Sequence, residues 1–199
     1  MQERLKLVKP GNPLDPETMI GSQVSKAQYE KILNYIKIGI EEGAAVLAGG
    51  EAGNYEGELS EGYYIQPTVL KGDNKMRVFQ EEIFGPVLHV VRFKAGEKRA
   101  MVDRINASGY GLTLGIHSRI DMICDDLADH ANVGNIYINR NQIGAVVGVQ
   151  PFGGQGLSGT GPKAGGPNYL QRFATERTRT INTTAVGGNA TLLANAQGK

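Results

Sequence analysis

The sequence predicts an α/β fold, a sheet with crossover helices followed by one further strand near the carboxy terminus. Three observations predict it. Branched and aromatic runs bounded by turn residues recur along the chain. A stripe of apolar residues with helical period lies over residues 25–42. From Gly96 to Ile138, helical and strand patterns alternate, as they do where parallel strands are joined by helices. At 199 residues the chain is long enough for one sizeable domain and an appendage.

The first elements are the easiest to justify. Pro10-Gly11-Asn12-Pro13-Leu14-Asp15 is turn chemistry. A helix is predicted over Ser25–Glu42, with Ser25 as its cap, Gln28 three positions on as the return half of a capping box, and Val24 and Tyr29 as a hydrophobic staple. Tyr29, Ile32, Leu33, Ile36 and Ile40 make its inward face, and Gly43 supplies a left-handed stop. A short strand at Ala45–Leu47 follows, then a polar glycine-bearing loop from Gly49 to Gly62.

Tyr63–Leu70 and Val87–Phe93 read as strands, with Met76–Phe84 between them. The alternating part then gives a helix from Gly96 through Asn106, a strand at Leu112–Ile116, a helix at Ile120–Ala131 and a strand at Val133–Ile138. Gly166–Phe173 is expected to form a short helix and Thr178–Thr184 a last strand, with residues 187–199 a loose tail. The division expected is therefore a domain over residues 1–173, a strand segment over 174–186 and the tail. A strand with no sequence neighbour to pair with invites pairing with another chain, so a homo-oligomer through residues 178–184 is expected.

Charge and composition exclude several classes. Twenty-one basic and twenty acidic residues are interspersed and leave a formal charge of +1, so no basic stripe argues for nucleic acid. No apolar run reaches the roughly 18 residues of a membrane span. A single cysteine leaves no intramolecular disulfide framework, and Met1–Lys6 lacks the apolar core of a signal peptide, so a cytoplasmic location is expected. The N-x-[ST] matches at Asn106, Asn182 and Asn189 are then chance. Of the 28 glycines, nine fall between Gly144 and Gly166, without periodicity and with Pro151 and Pro162 among them. A flexible linker is one reading. A shaped functional loop is favoured, because Val146, Val147, Val149, Phe152 and Leu157 are poor linker residues.

Gln80-Glu81-Glu82-Ile83-Phe84-Gly85-Pro86, followed by a β-branched strand, resembles a signature of the catalytic domain of aldehyde dehydrogenases. The resemblance implies that Glu82 hydrogen-bonds the nicotinamide ribose of NAD or NADP and that Phe84 packs by the nicotinamide ring. A carboxylate can accept from two neighbouring hydroxyls at once, which suits that role. Residues 105–184 are similar to the 1-pyrroline-5-carboxylate (glutamate semialdehyde) dehydrogenase module of bifunctional proline-utilisation flavoenzymes. Ile105–Thr113, Gly134–Asn141 and the loop from Gly144 to Gly166 carry that likeness. It implies that the backbone amides of Gly144 and Ala145 hold the carboxylate of a small aldehyde acid and that Phe152 lies against its aliphatic stem. Residues 5–86 lean instead toward general bacterial aldehyde dehydrogenases, in Gly11–Asp15 and Thr18–Gln23.

The implied chemistry requires a nucleophilic thiolate, a glutamate that activates water and a dinucleotide-binding half. In the family all three precede the region that matches Leu5 onward, so no catalytic residue is assigned here and the chain is expected to be an inactive fragment when alone. Cys124, the one thiol, shares an apolar helix face with Ile120, Ile123 and Leu127, beside Asp121, Asp125 and Asp126; such surroundings disfavour a thiolate. Gly154-Gln155-Gly156-Leu157-Ser158-Gly159 matches G-x-G-x-x-G but is expected to be a decoy, since Pro162 and Pro167 interrupt the helix that fingerprint must open. Gly156–Lys163 misses the P-loop, with proline where lysine belongs. His89, His117 and His130 lack metal spacing, so no metal is expected. The function expected is oxidation of glutamate semialdehyde to glutamate in proline catabolism. The alternatives are a structural or oligomerisation module and a fragment of a general aldehyde dehydrogenase.

Overall fold

A computed structural model describes residues 2–160, 164–182 and 194–195. The helices are α1 (Gln2–Leu5), α2 (Lys26–Glu41), α3 (Arg77–Gln80), α4 (Lys98–Ala107) and α5 (Asp121–His130). The strands are β1 (Ala45–Ala48), β2 (Thr68–Lys71), β3 (Val87–Val90), β4 (Tyr110–Gly111), β5 (Thr113–Ile116), β6 (Asn135–Ile138) and β7 (Gln155–Gly156). They hydrogen-bond as β1-β2-β3, β4-β7 and β5-β6, so among the described residues the expected sheet is divided into three. β2 and β3 are parallel, as are β5 and β6 across α5, while β1 is antiparallel to β2. No helix among the described residues is long and apolar enough to cross a membrane.

Two of the four terminal signals of α2 work as the sequence predicts and two do not. The Ser25 hydroxyl accepts from the Gln28 amide at 3.2 Å, satisfying one of the unpaired donors of the first turn. Gln28 does not complete the capping box, because its side chain is drawn away to the carbonyls of Ile83 and Phe84. The staple is absent as well: Val24 is 92% exposed, and Tyr29 packs on Tyr63 with ring centroids 5.7 Å apart. At the far end Gly43 has φ +95°, and its amide bonds Ile40 O while that of Ala44 bonds Gly39 O. This is the paired hydrogen-bond pattern of a glycine stop.

Ile32 and Ile36 are fully buried on the inward face, but Ile40 is half-exposed. Gly39 takes its place, because an added Cβ there would stand 3.1 Å from both Leu70 and Val78. A mid-helix glycine costs about 1 kcal/mol relative to alanine. Here it lets α2 lie directly on β2 and α3. The core so formed gathers Ile32, Ile36, Ala44, Ile65, Leu70, Val78 and Ile83, and each fully buried aliphatic side chain contributes about 1.5–3 kcal/mol. Glu42, just past α2, accepts from the Arg77 and Val78 amides at 3.1 and 3.4 Å and so caps α3 from another element.

Strand ends depart from the pattern where a partner stops. The expected strand Tyr63–Leu70 enters the ladder only at Thr68. Pro67 offers no amide to a ladder, and Ile65 and Gln66 instead meet Ala52 and Glu51 of the preceding loop. β3 ends at Val90, opposite Lys71, rather than running to Phe93. The expected strand Leu112–Ile116 begins two residues early and changes partner at Leu112, from β7 to β6. Val133 is buried but precedes β6. Gly166–Phe173 yields only a turn of 3-10 helix at Leu170–Phe173, the residues around Pro167 being turns. Outside this core, Val102 of α4, Cys124 of α5, Ile116 of β5, Tyr137 of β6 and Val133 are also buried.

Residues 174–182, which include most of the expected last strand, are exposed and form no helix or strand. Thr183, Thr184 and residues 187–193 and 196–199 of the expected tail lie outside the described residues.

Candidate functional site

The turn between α3 and β3 is shaped from below and from one side. Ile83 is 5% exposed and enters the core beneath α2. Gly85 sits so close to Ile32 that an added Cβ would fall 2.5 Å from its Cδ1. Between these two anchors Phe84 adopts φ +63°, a left-handed conformation that costs a residue with a bulky side chain on the order of 1–3 kcal/mol. Its ring is 75% exposed. A strained backbone that throws an aromatic ring into solvent is the arrangement of a side chain held ready for a flat partner.

Beside it, Glu82 is exposed, and its carboxylate has no hydrogen-bond partner among the described residues. Helix α2 holds the backbone of the turn. Gln28 Nε2 donates to Ile83 O at 2.9 Å and Phe84 O at 2.7 Å, and Lys31 Nζ donates to Glu82 O at 3.1 Å. The Tyr35 hydroxyl donates to the Glu81 carboxylate, which Arg77 Nε also meets at 2.8 Å. Those two contacts, Arg77 first and Tyr35 second, hold the Glu81 carboxyl below its ordinary range; the bond to Glu81 in turn raises the Tyr35 hydroxyl. Glu81 therefore fastens the turn, while Glu82 stays exposed.

The glycine-dense stretch is tied down by hydrogen bonds at Pro151–Gly153, Ser158 and Ala164, while Val146, Val147, Val149 and Leu157 are exposed. Phe152 exchanges two backbone hydrogen bonds with Ala164, at 3.0 and 2.8 Å. Asn135 of β6 ties it down, donating to Pro151 O at 2.9 Å and accepting from the Gly153 amide at 3.1 Å. Ser158 Oγ accepts from the Gly111 amide at 3.1 Å. Gly144, Ala145 and Phe152 come together in a depression of about 590 Å³, along with Leu112, Gln142 and Val147. Gly144 has φ +76°, which turns the chain at the rim. Glu82 and Phe84 do not line this depression.

Cys124 is 1% exposed, with Sγ 3.9 Å from the Ser118 carbonyl. Gln155 and Gly156 pair with β4 instead of opening a helix, and Gly154 and Gly159 touch too closely for any side chain between them. His130 bonds Asp103 at 2.6 Å, and His89 packs on Phe79 at 4.5 Å between ring centroids. Among the described residues, no group of three or more His, Cys, Asp or Glu side chains is placed to hold a metal.

Sequence reasoning missed Gln28, Lys31, Tyr35 and Asn135. Gln28 reads there only as half of a capping box and Asn135 only as part of a motif-bearing strand, and Lys31 and Tyr35 are given no role. A polar stripe at i, i+3 and i+7 beside an apolar one is a visible signal, but nothing in the sequence gives it a partner.

A nicotinamide cofactor fits the first cluster: Glu82 offers a free carboxylate for vicinal hydroxyls, and Phe84 offers an exposed ring face. Residues 1–179 match the aldehyde dehydrogenase family, and the chain belongs to it. The bifunctional protein PutA of Salmonella typhimurium is 44% identical over 189 residues, covering 94% of this chain and 14% of that protein. The 1-pyrroline-5-carboxylate dehydrogenase of Bacillus subtilis is 44% identical over 166 residues, covering 83% of this chain and 31% of the enzyme. An aldehyde dehydrogenase from Bacillus cereus, solved as its NAD+ complex, superposes with a TM-score of 0.71 at 34% identity, covering 82% of this chain and 32% of that one. The chain thus spans less than a third of the length of the two curated relatives it matches here.

Proposed function

We propose that this chain supplies the nicotinamide-facing turn and the substrate-carboxylate cradle of an NAD(P)-dependent aldehyde dehydrogenase that oxidises glutamate semialdehyde to glutamate. The observation that carries the reading is the exposed, left-handed Phe84 beside an unengaged Glu82, on a turn locked to the core. Glu82 would accept hydrogen bonds from the ribose hydroxyls, and Phe84 would offer its exposed ring to the nicotinamide. The bound nicotinamide supplies the hydride acceptor for the aldehyde carbon. Gly144 and Ala145 hold the distal carboxylate through their amides, and Phe152 covers the aliphatic stem and excludes water from it. These contacts orient the aldehyde without reacting.

Buried Cys124 is not the nucleophile in this reading, and the chain alone turns over no aldehyde. Glutamate, as the product, should shift the amide resonances of Gly144 and Ala145 in the 199-residue chain. Ala145→Pro removes one donor and should weaken that response. Silence of both amides at saturating glutamate would remove the carboxylate assignment. NADH formation from glutamate semialdehyde that disappears in Cys124→Ala would overturn the assignment of Cys124.

A second reading, compatible with the first, concerns assembly. The exposed segment 174–182, with Ile181 59% exposed, is available to add a strand to a neighbouring protomer. Truncation after Phe173 should then lower the mass measured by light scattering, and an unchanged mass would count against it.

A further inference from the structure

Gln28, Lys31 and Tyr35 lie at i, i+3 and i+7, one above another on α2. Each spends its polar end on the same four residues, Glu81 to Phe84, and three of the four bonds go to consecutive backbone carbonyls. Because both acceptors facing Gln28 are carbonyl oxygens, its amide must present the NH2 group to them; the oxygen would repel both. Carbonyls turned toward one helix in this way are not those of an extended strand, in which successive carbonyls alternate in direction. Ile83 and Gly85 fix the ends of the turn by packing, and the carbonyl grip fixes the rotation of the peptides between them.

We infer that Gln28, Lys31 and Tyr35 are positioning residues for the nicotinamide turn, holding Phe84 left-handed so that its ring and the Glu82 carboxylate are preset for a nicotinamide nucleotide. This rests on the cofactor reading given above. The alternative arrangement of the turn is the relaxed one, in which Phe84 leaves the left-handed region and its ring leaves the nicotinamide plane. Affinity for the nucleotide then falls by the fraction of molecules in which the turn is set.

The test uses the whole 199-residue chain and nicotinamide mononucleotide as probe. Gln28→Glu keeps the shape but replaces the two donors by acceptors; Gln28→Lys keeps donors at similar reach. In Gln28→Glu the Phe84 ¹³Cα and ¹³Cβ shifts should leave left-handed values, and mononucleotide affinity should drop about fivefold, the factor one ordinary net hydrogen bond carries. Gln28→Lys should stay near the parent in both. Unfolding of Gln28→Glu is checked by its amide spectrum, and Lys31→Met offers the same measurement from the next turn of α2. Unchanged Phe84 shifts in both donor-deleting variants would overturn the clamp. Phe84 shifts that move as expected, in a parent chain whose Glu82 and Phe84 signals ignore the mononucleotide, would instead overturn the cofactor reading and leave a clamp of purely structural use.

Discussion

Gly85 is a glycine for reasons of space, since its missing side chain is what lets the turn press on Ile32. Gly85→Ala should destabilise the chain by about 1–3 kcal/mol, the usual cost of overpacking a filled core, as read from denaturant titration. His89 is half-buried against Phe79, its Nε2 has no hydrogen-bond partner among the described residues, and burial holds its pKa below the ordinary imidazole value. A proton therefore binds the unfolded chain more readily than the folded one. Stability from this site is complete above the unfolded pKa of about 6.5 and declines as the pH falls below it toward the folded value. His89→Phe should flatten the dependence of Tm on pH between about 5 and 7, and an unaltered slope would assign it to other groups. Neither residue's role was legible beforehand. His89 was recognised only as lacking metal spacing, and Gly85 only as part of a motif, because the atoms that constrain them come from other elements.

At the scale of elements, legibility tracked local signals. Helix α2 was readable at both ends because its hydroxyl cap and its glycine stop are written into adjacent residues. Gly43→Ala should cost about 1 kcal/mol, and Gly43→Asn less, because asparagine tolerates the left-handed region better. No atom lies within 4 Å of the added Cβ, so the loss measures backbone strain alone. Strand limits were read less well. β2 and β3 stop where their mutual register runs out, and β4 and β5 divide where the partner changes. The loop after β6 was recognised as shaped from its branched residues, but the device that shapes it, the paired bonds of Asn135, joins positions 16 and 18 residues apart. Asn135→Ala should cost about 1–3 kcal/mol by removing the donor to the Pro151 carbonyl. Amide exchange in the loop should quicken in that variant, and exchange unchanged there would mean the loop is held by other contacts.

For the whole molecule, the outstanding feature is apolar surface. Phe84, Leu88, Phe93, Ile143, Val147, Val149, Leu157 and Phe173 are all exposed, several by more than 70%. Surfaces of this kind promote association. The chain alone is expected to bind a hydrophobic dye or to self-associate at micromolar concentration, and a monodisperse monomer without dye signal would contradict that. The α/β class, the hydroxyl cap and the glycine stop of α2 were determined by sequence alone, because period and capping chemistry act between near neighbours. Tertiary structure decided the division of the strands into three sheets, the replacement of Ile40 by Gly39 at the core, and the left-handed set of Phe84. That last conformation depends on Gln28, Lys31 and Tyr35, which stand 46 to 56 positions away from the residues they hold. A strained backbone is stable only when distant groups converge on it, and convergence of distant groups is what a folded chain adds to a linear one.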